Sequence, residues 1–334
     1  MVKCKVPDMI YCNIRIPVKM FVCAVFTGLF FGCESPQDVV FPEIKHLTAE
    51  KIPLKEIVYP EEVILADGHF VVSCSQTDSL LYFYTVPDLQ FAGSGGRIGG
   101  GPDEFTYAPG FCGNRENRLI LYGGFGPGNL RDANLDSRAG VTLGKWYKLG
   151  HPEIMNKPYI KGDTILIYST LFNIKKYDLA HKRLLGEVYL REPGSENSTF
   201  NPDMGYLAAN DTSAVYVYNY KNRIDLFDCE TLKLKKSIIG PGQVKIGRLD
   251  SRHTNYYYVN VVATRSRFYA VKEAKNKSPE NKHKYTLQVF DNHGNPVVEY
   301  AFDIPPGTFT VDELRGYIYS FNGNYQDYLL RYKL

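Results

Sequence analysis

The chain has 334 residues, 44% hydrophobic and 22% charged, which allows a full buried core and excludes an intrinsically disordered chain. Its formal charge of +3 comes from the first 32 residues, where Lys3, Lys5, Arg15 and Lys19 face one acidic residue, Asp8. Without them, 35 of the 39 basic and 35 of the 36 acidic residues remain and cancel, so no basic face is expected for nucleic acid.

In chain order, the basic segment leads into "MFVCAVFTGLFFG", an uncharged run of 13 residues from Met20 to Gly32. About 20 apolar residues are needed for a helix to cross a bilayer, so a secretory signal over 1–32 is expected instead. "LFFGC", Leu29 to Cys33, resembles a bacterial lipobox, with Phe30 and Phe31 bulkier than the residues usual there. It makes Cys33 the expected lipidation site and 33–44, with "ESPQD" following Cys33, a polar tether. The alternative is an ordinary signal peptide followed by a coincidental cysteine. Cys4, Cys12 and Cys23 lie in the signal, leaving Cys74, Cys112 and Cys229 in neither a disulfide framework nor a zinc pattern. They are expected as buried thiols, with a single Cys74–Cys112 bridge as the other reading.

Over 45–334 short apolar runs recur: "HFVVS", "RLILYG", "TILIYS", "AVYVYN", "RFYAVK" and "YIYSF". Their anchors, Phe70, Leu119, Ile165, Val215, Phe268 and Ile318, are 49, 46, 50, 53 and 50 residues apart. "VPDL", "DLAHKR", "DCETLK" and "DNHGNP" recur at one phase of this repeat as hairpin turns. With 26 Tyr and 19 Phe favouring pleated structure, the pattern predicts an all-β, six-bladed β-propeller of four-stranded blades. The last unit has no room for a fourth strand. "HLTAEKIPLKEI", His46 to Ile57, is predicted to supply it, so that the N-terminal strand of the mature chain closes the ring.

Between the first and second units lies "GSGGRIGGGPDEF", Gly93 to Phe105. No lysine stands where a P-loop needs one, no G-x-G-x-x-G register fits, and no helix follows, so this is a propeller corner rather than a phosphate cradle. "GRIGGGPDEF", Gly96 to Phe105, resembles the G-x-x-G-x-GP-x-EF loop after the first blade of TolB-like six-bladed propeller lipoproteins of Gram-negative bacteria. The resemblance implies a propeller anchored by lipid in the cell envelope, at the outer membrane, and implies no defined catalytic activity.

The seven histidines stand in no H-x-H or H-E-x-x-H arrangement, G-x-S-x-G is absent, and neither a metal site nor a cofactor is expected. Asp103 and Glu104 are adjacent carboxylates, readable as calcium ligands or an acid–base pair, or as loop anchors to backbone N–H groups or to Arg97. Repeat phase places further loops at the same end as Gly93–Phe105, bearing Phe125, Tyr220, Asn222, Arg252, His253, Tyr256 and Tyr325. Aromatic platforms edged by Arg and amides suit a glycan or a peptide. The expected function is therefore a lipid-anchored binding or scaffolding module for a glycan, peptide or envelope protein. The alternative is a lactonase- or lyase-like propeller enzyme with a metal or carboxylate site at the channel mouth.

Overall fold

The computed structural model describes residues 38–115, 117–138, 140–191, 201–242, 256–274 and 284–334. Two short strands come first, β1 (Ile44–Leu47) and β2 (Glu50–Pro53). Blade one holds β3 (Pro60–Ala66), β4 (His69–Cys74), β5 (Leu81–Thr85) and β6 (Phe91–Gly95). Blade two is built from β7 (Gly110–Phe111), β9 (Leu119–Tyr122), β10 (Asn129–Asp136) and β11 (Gly140–Lys148), with β8 (Gly113–Asn114) between β7 and β9 in the chain. Blade three runs β12 (Asn156–Lys161), β13 (Ile165–Ser169), β14 (Asn173–Asp178), β15 (Arg183–Tyr189). Blade four runs β16 (Gly205–Ala209), β17 (Ser213–Tyr218), β18 (Arg223–Asp228), β19 (Leu234–Ile239). Blade five follows with β20 (Tyr258–Ala263), β21 (Arg267–Ala274), β22 (Lys284–Asp291) and β23 (Pro296–Phe302). Blade six has β24 (Thr308–Asp312), β25 (Tyr317–Phe321) and β26 (Tyr328–Lys333).

Each blade is a sheet of its own. First strands touch in the order β3, β7, β12, β16, β20, β24 and back to β3, so the six sheets stand in a closed ring. The runs picked out by the repeat are the second strands, β4, β9, β13, β17, β21 and β25. They lie between two neighbouring blades and read as continuous apolar segments: all six residues of β17 are buried. Outer strands face solvent on more of their length, as in β15 and β19.

One buried cluster lies at each of the six blade interfaces, for example Phe70 and Val72 of blade one against Tyr319 and Phe321 of blade six. Tyrosine is abundant because it fills these interfaces while its hydroxyl reaches a partner at their edges. Tyr218 donates to Asp225 (2.8 Å), Tyr258 to Gln288 (3.1 Å) and Tyr332 to the Ile304 carbonyl (2.7 Å).

Residues 46–57, read from sequence as one strand of the last blade, are divided. β2 pairs antiparallel with β26 as the outer strand of blade six, Glu50 opposite Arg331. β1 instead lies parallel to β23 as a fifth strand on blade five. Asp303 fixes the step between them, accepting the Ala49 N–H at 3.0 and 3.2 Å. Ahead of β1, Phe41 packs edge-on against Phe290, 5.4 Å between centroids. The three cysteines among the described residues are free and buried. No helix among the described residues is long and apolar enough to cross a membrane.

Candidate functional site

First strands of a propeller line its axis, and each leaves the axis through the turn to its second strand. These first turns share one end of the disc; the connections between blades share the other. A cavity of ≈ 500 Å³ forms the axial funnel, lined by the first strands of all six blades and by the first turns of every blade but the third. Its rim therefore belongs to the first-turn end.

Inside the funnel, Glu62 of blade one meets Lys157 of blade three at 3.0 Å. The same carboxylate accepts the Phe111 N–H of blade two at 3.1 Å and lies 3.4 Å from the Tyr122 hydroxyl. Lys157 takes a left-handed backbone conformation, φ 45°, at a bulge in β12. Burial, then the nearby Glu62 charge, push the Tyr122 hydroxyl well above its ordinary range, so it stays a neutral donor.

At the rim, hydrogen bonds tie successive blades together. The Asp67 N–H of blade one donates to the Asn117 carbonyl of blade two (2.6 Å), and Arg118 of blade two reaches Asp163 of blade three (2.8 Å). Tyr159 of blade three donates to Asp211 of blade four (2.8 Å), and the Asn210 amide of blade four to the Thr264 carbonyl of blade five (3.0 Å). Ser266 and Tyr269 of blade five donate to Glu313 of blade six at 3.0 and 2.9 Å. Arg115 of blade two spans further, its Nε 3.4 Å from Asp211 of blade four. Lys145 and then Arg118 hold the Asp163 carboxyl below the usual carboxylate range. Arg265, exposed on this rim, has no side-chain partner among the described residues.

The eight described residues among those singled out from the sequence do not line this funnel. In the glycine-rich corner, Glu104 accepts the Gly101 N–H at 2.8 Å. Asp103 pairs with Arg131 at 2.9 Å, and Arg97 is exposed, its carbonyl accepting the Phe105 N–H. Phe125 packs on Phe105 (4.8 Å) and Trp146 (5.3 Å). Gly96 needs its positive φ of 75°, and a Cβ there would meet the Phe105 ring at 2.9 Å. Buried Tyr220 packs on half-exposed Tyr256, 5.1 Å between centroids, and the Asn222 amide donates to the Pro241 carbonyl at 3.1 Å. Tyr325 receives the Lys51 ammonium 4.4 Å above its ring, toward the outer edge of blade six. Arg252 and His253 lie outside the described residues.

The ten thus fall into a blade-two corner, a patch between blades four and five, and a position toward the outer edge of blade six, plus the two undescribed residues. The funnel rim escaped sequence reading because each turn contributes one or two ordinary polar residues. Among the described residues, no three His, Cys, Asp or Glu side chains gather as a metal-holding group.

The chain matches no known family profile, and no curated protein matches it. Among solved structures it is similar to the β-propeller domain of Cps50 (Swd1) from Myceliophteria thermophila, at 9% identity and a TM-score of 0.44, over 86% of this chain and 99% of that one. This protein is an all-β, six-bladed propeller of four-stranded blades, with extra strands on blades three and five.

Proposed function

We propose that the chain is a lipid-anchored cell-envelope binding module whose axial funnel receives a polar or charged end of a partner, a peptide, a glycan or a segment of another envelope protein. One observation carries the reading. The funnel is lined from every blade, the rim cations Arg115, Arg118 and Lys145 are paired with carboxylates of other blades, and the Arg265 guanidinium has no side-chain partner among the described residues. A rim pre-organised in this way needs little reordering on binding. The lipid anchor rests on the lipobox-like "LFFGC" and on the likeness of "GRIGGGPDEF" to TolB-like lipoproteins, with 1–32 as signal and 33–44 as tether.

Two measurements test it. Labelling with a fatty-acid analogue in a bacterial host should mark the protein, and Cys33→Ala should abolish the mark. Glycan and peptide arrays should give at least one hit that Arg265→Ala weakens tenfold or more with unchanged thermal stability. Hits indifferent to Arg265→Ala would overturn the funnel as the site.

A further inference from the structure

A second cleft, ≈ 320 Å³, opens at the opposite end of the disc, at the seam between blades six and one. Its lining comes from Tyr59 and the start of β3, the β4–β5 turn, the start of β24, and the end of β25 with the turn to β26.

Its chemistry differs from that of the funnel. No Lys, Arg or His lines it, so an anionic ligand would find no counter-charge there. Tyr59 is 50% exposed. Around it, the side chains of Glu61, Gln76 and Gln326 have no hydrogen-bond partner among the described residues. Gly323 leaves its side open, since a Cβ there would meet nothing within 4 Å.

The backbone is strained at two of these positions. Tyr59 (φ 50°) and Gln76 (φ 59°) both occupy the left-handed region, which non-glycine residues seldom adopt. They are joined through the Ser75 N–H, which donates to the Tyr59 carbonyl at 3.1 Å. Strain of this kind gathers at ligand clamps.

We propose that this cleft binds a neutral saccharide unit, the Tyr59 ring against the apolar C–H face of a pyranose and Glu61, Gln76 and Gln326 bonding its hydroxyls. A sugar ring has one apolar face and an edge of donors and acceptors. A half-exposed aromatic, two amides and one carboxylate supply its complement. The volume is at the small end of ligand clefts, enough for one or two rings. The site is separate from the funnel rim and stands whether or not the funnel reading does.

The test is saturation-transfer NMR on the full chain with maltose, cellobiose, lactose and N,N′-diacetylchitobiose. At least one should receive saturation, strongest at the C–H protons of one ring face. Tyr59→Ala should abolish the transfer, Tyr59→Phe should preserve it, and Gln326→Ala, at an exposed position, should weaken binding at least fivefold with an unchanged melting temperature. Arg265→Ala, at the other end of the disc, should leave it unchanged. No transfer to any of the four sugars, binding insensitive to Tyr59→Ala and Gln326→Ala, loss on Arg265→Ala, or a preference for glucose 6-phosphate over neutral sugars would each overturn the proposal.

Discussion

Arg331 holds Glu50 with two guanidinium nitrogens, Nε at 2.8 Å and Nη2 at 3.0 Å, across 281 residues of chain. The same side chain donates to the Pro87 carbonyl of blade one at 3.0 Å and lies over the Tyr317 ring. The pair itself is partly solvated, Glu50 being 56% exposed, so Arg331→Ala should lower stability by only about 1 kcal/mol. Deleting 45–57 removes all of β2 and most of β1, and should lower the melting temperature by more than 10 °C in calorimetry. A truncated protein that melts with the full-length one would show that the seam is held elsewhere.

Asp211 anchors the funnel rim from two sides, accepting from Tyr159 and pairing with Arg115. Asp211→Ala removes the carboxylate that accepts the Tyr159 hydroxyl and should destabilise by about 1–3 kcal/mol in urea melts. Arg115→Ala removes only an exposed partner and should stay below about 1 kcal/mol. Equal effects would mean that the carboxylate is not the keystone of that turn.

The glycine-rich corner is held by the seat that Gly99 leaves for Glu104. A Cβ at Gly99 would fall 1.9 Å from Glu104 Oε2, so Gly99→Ala must expel the carboxylate and break its bond to the Gly101 N–H. A loss of about 2 kcal/mol is expected, against a few tenths for Asp103→Asn, whose carboxylate is 70% exposed. Thermal melts of the two variants decide between them.

Three hairpin turns at one phase of the repeat begin with an aspartate that caps them. Asp178 accepts the N–H groups of Ala180 and His181, Asp228 those of Glu230 and Thr231, Asp291 those of His293 and Asn295. The Thr231 N–H leads in lowering the Asp228 carboxyl to about 2, with burial opposing and the Thr231 hydroxyl and Lys235 assisting. Its folded value is below the unfolded one, so its stabilisation is full above about pH 4–5 and is lost as pH falls through 3.8 toward 2. At pH 7 Asp228→Asn should be less stable by about 1 kcal/mol, a figure discounted for solvent screening. The gap between the variant and the parent should close by pH 2. A gap constant with pH would assign the effect to shape instead of charge.

Burial pushes the thiols of Cys74 and Cys229 up to about 12, and that of Cys112 higher still. All three should resist a thiol reagent at pH 8 in the native protein and react once the chain is unfolded. Reaction of any one in the folded state would mark a local opening of its blade.

The second strands were legible because burial on both faces leaves a continuous apolar run, as in "TILIYS" and "AVYVYN". The capped turns were legible because aspartate recurs where the backbone needs an acceptor. β1 was not, since a short strand laid parallel against β23 carries no turn signal of its own. Repeat phase also assigns a loop residue to one end of the disc but not to a distance from the axis. Tyr325, turned outward to Lys51, and Glu62, turned inward to Lys157, look equally plain in the sequence. Arg265 carries no repeat or turn signal, and only its exposed place on the funnel rim without a side-chain partner among the described residues sets it apart.

The first strand of blade two is divided at Cys112. Gly110–Phe111 pairs with β9, while Gly113–Asn114 crosses to lie parallel to β12, Tyr159 opposite Gly113. One stretch of backbone is thus a structural member of two repeats. A propeller that grows or shrinks by duplicating whole units needs clean joints, and this joint is spliced. Excising or inserting a unit there would sever the neighbour's ladder, so a seven-bladed or five-bladed derivative of this chain has to be cut elsewhere in the ring.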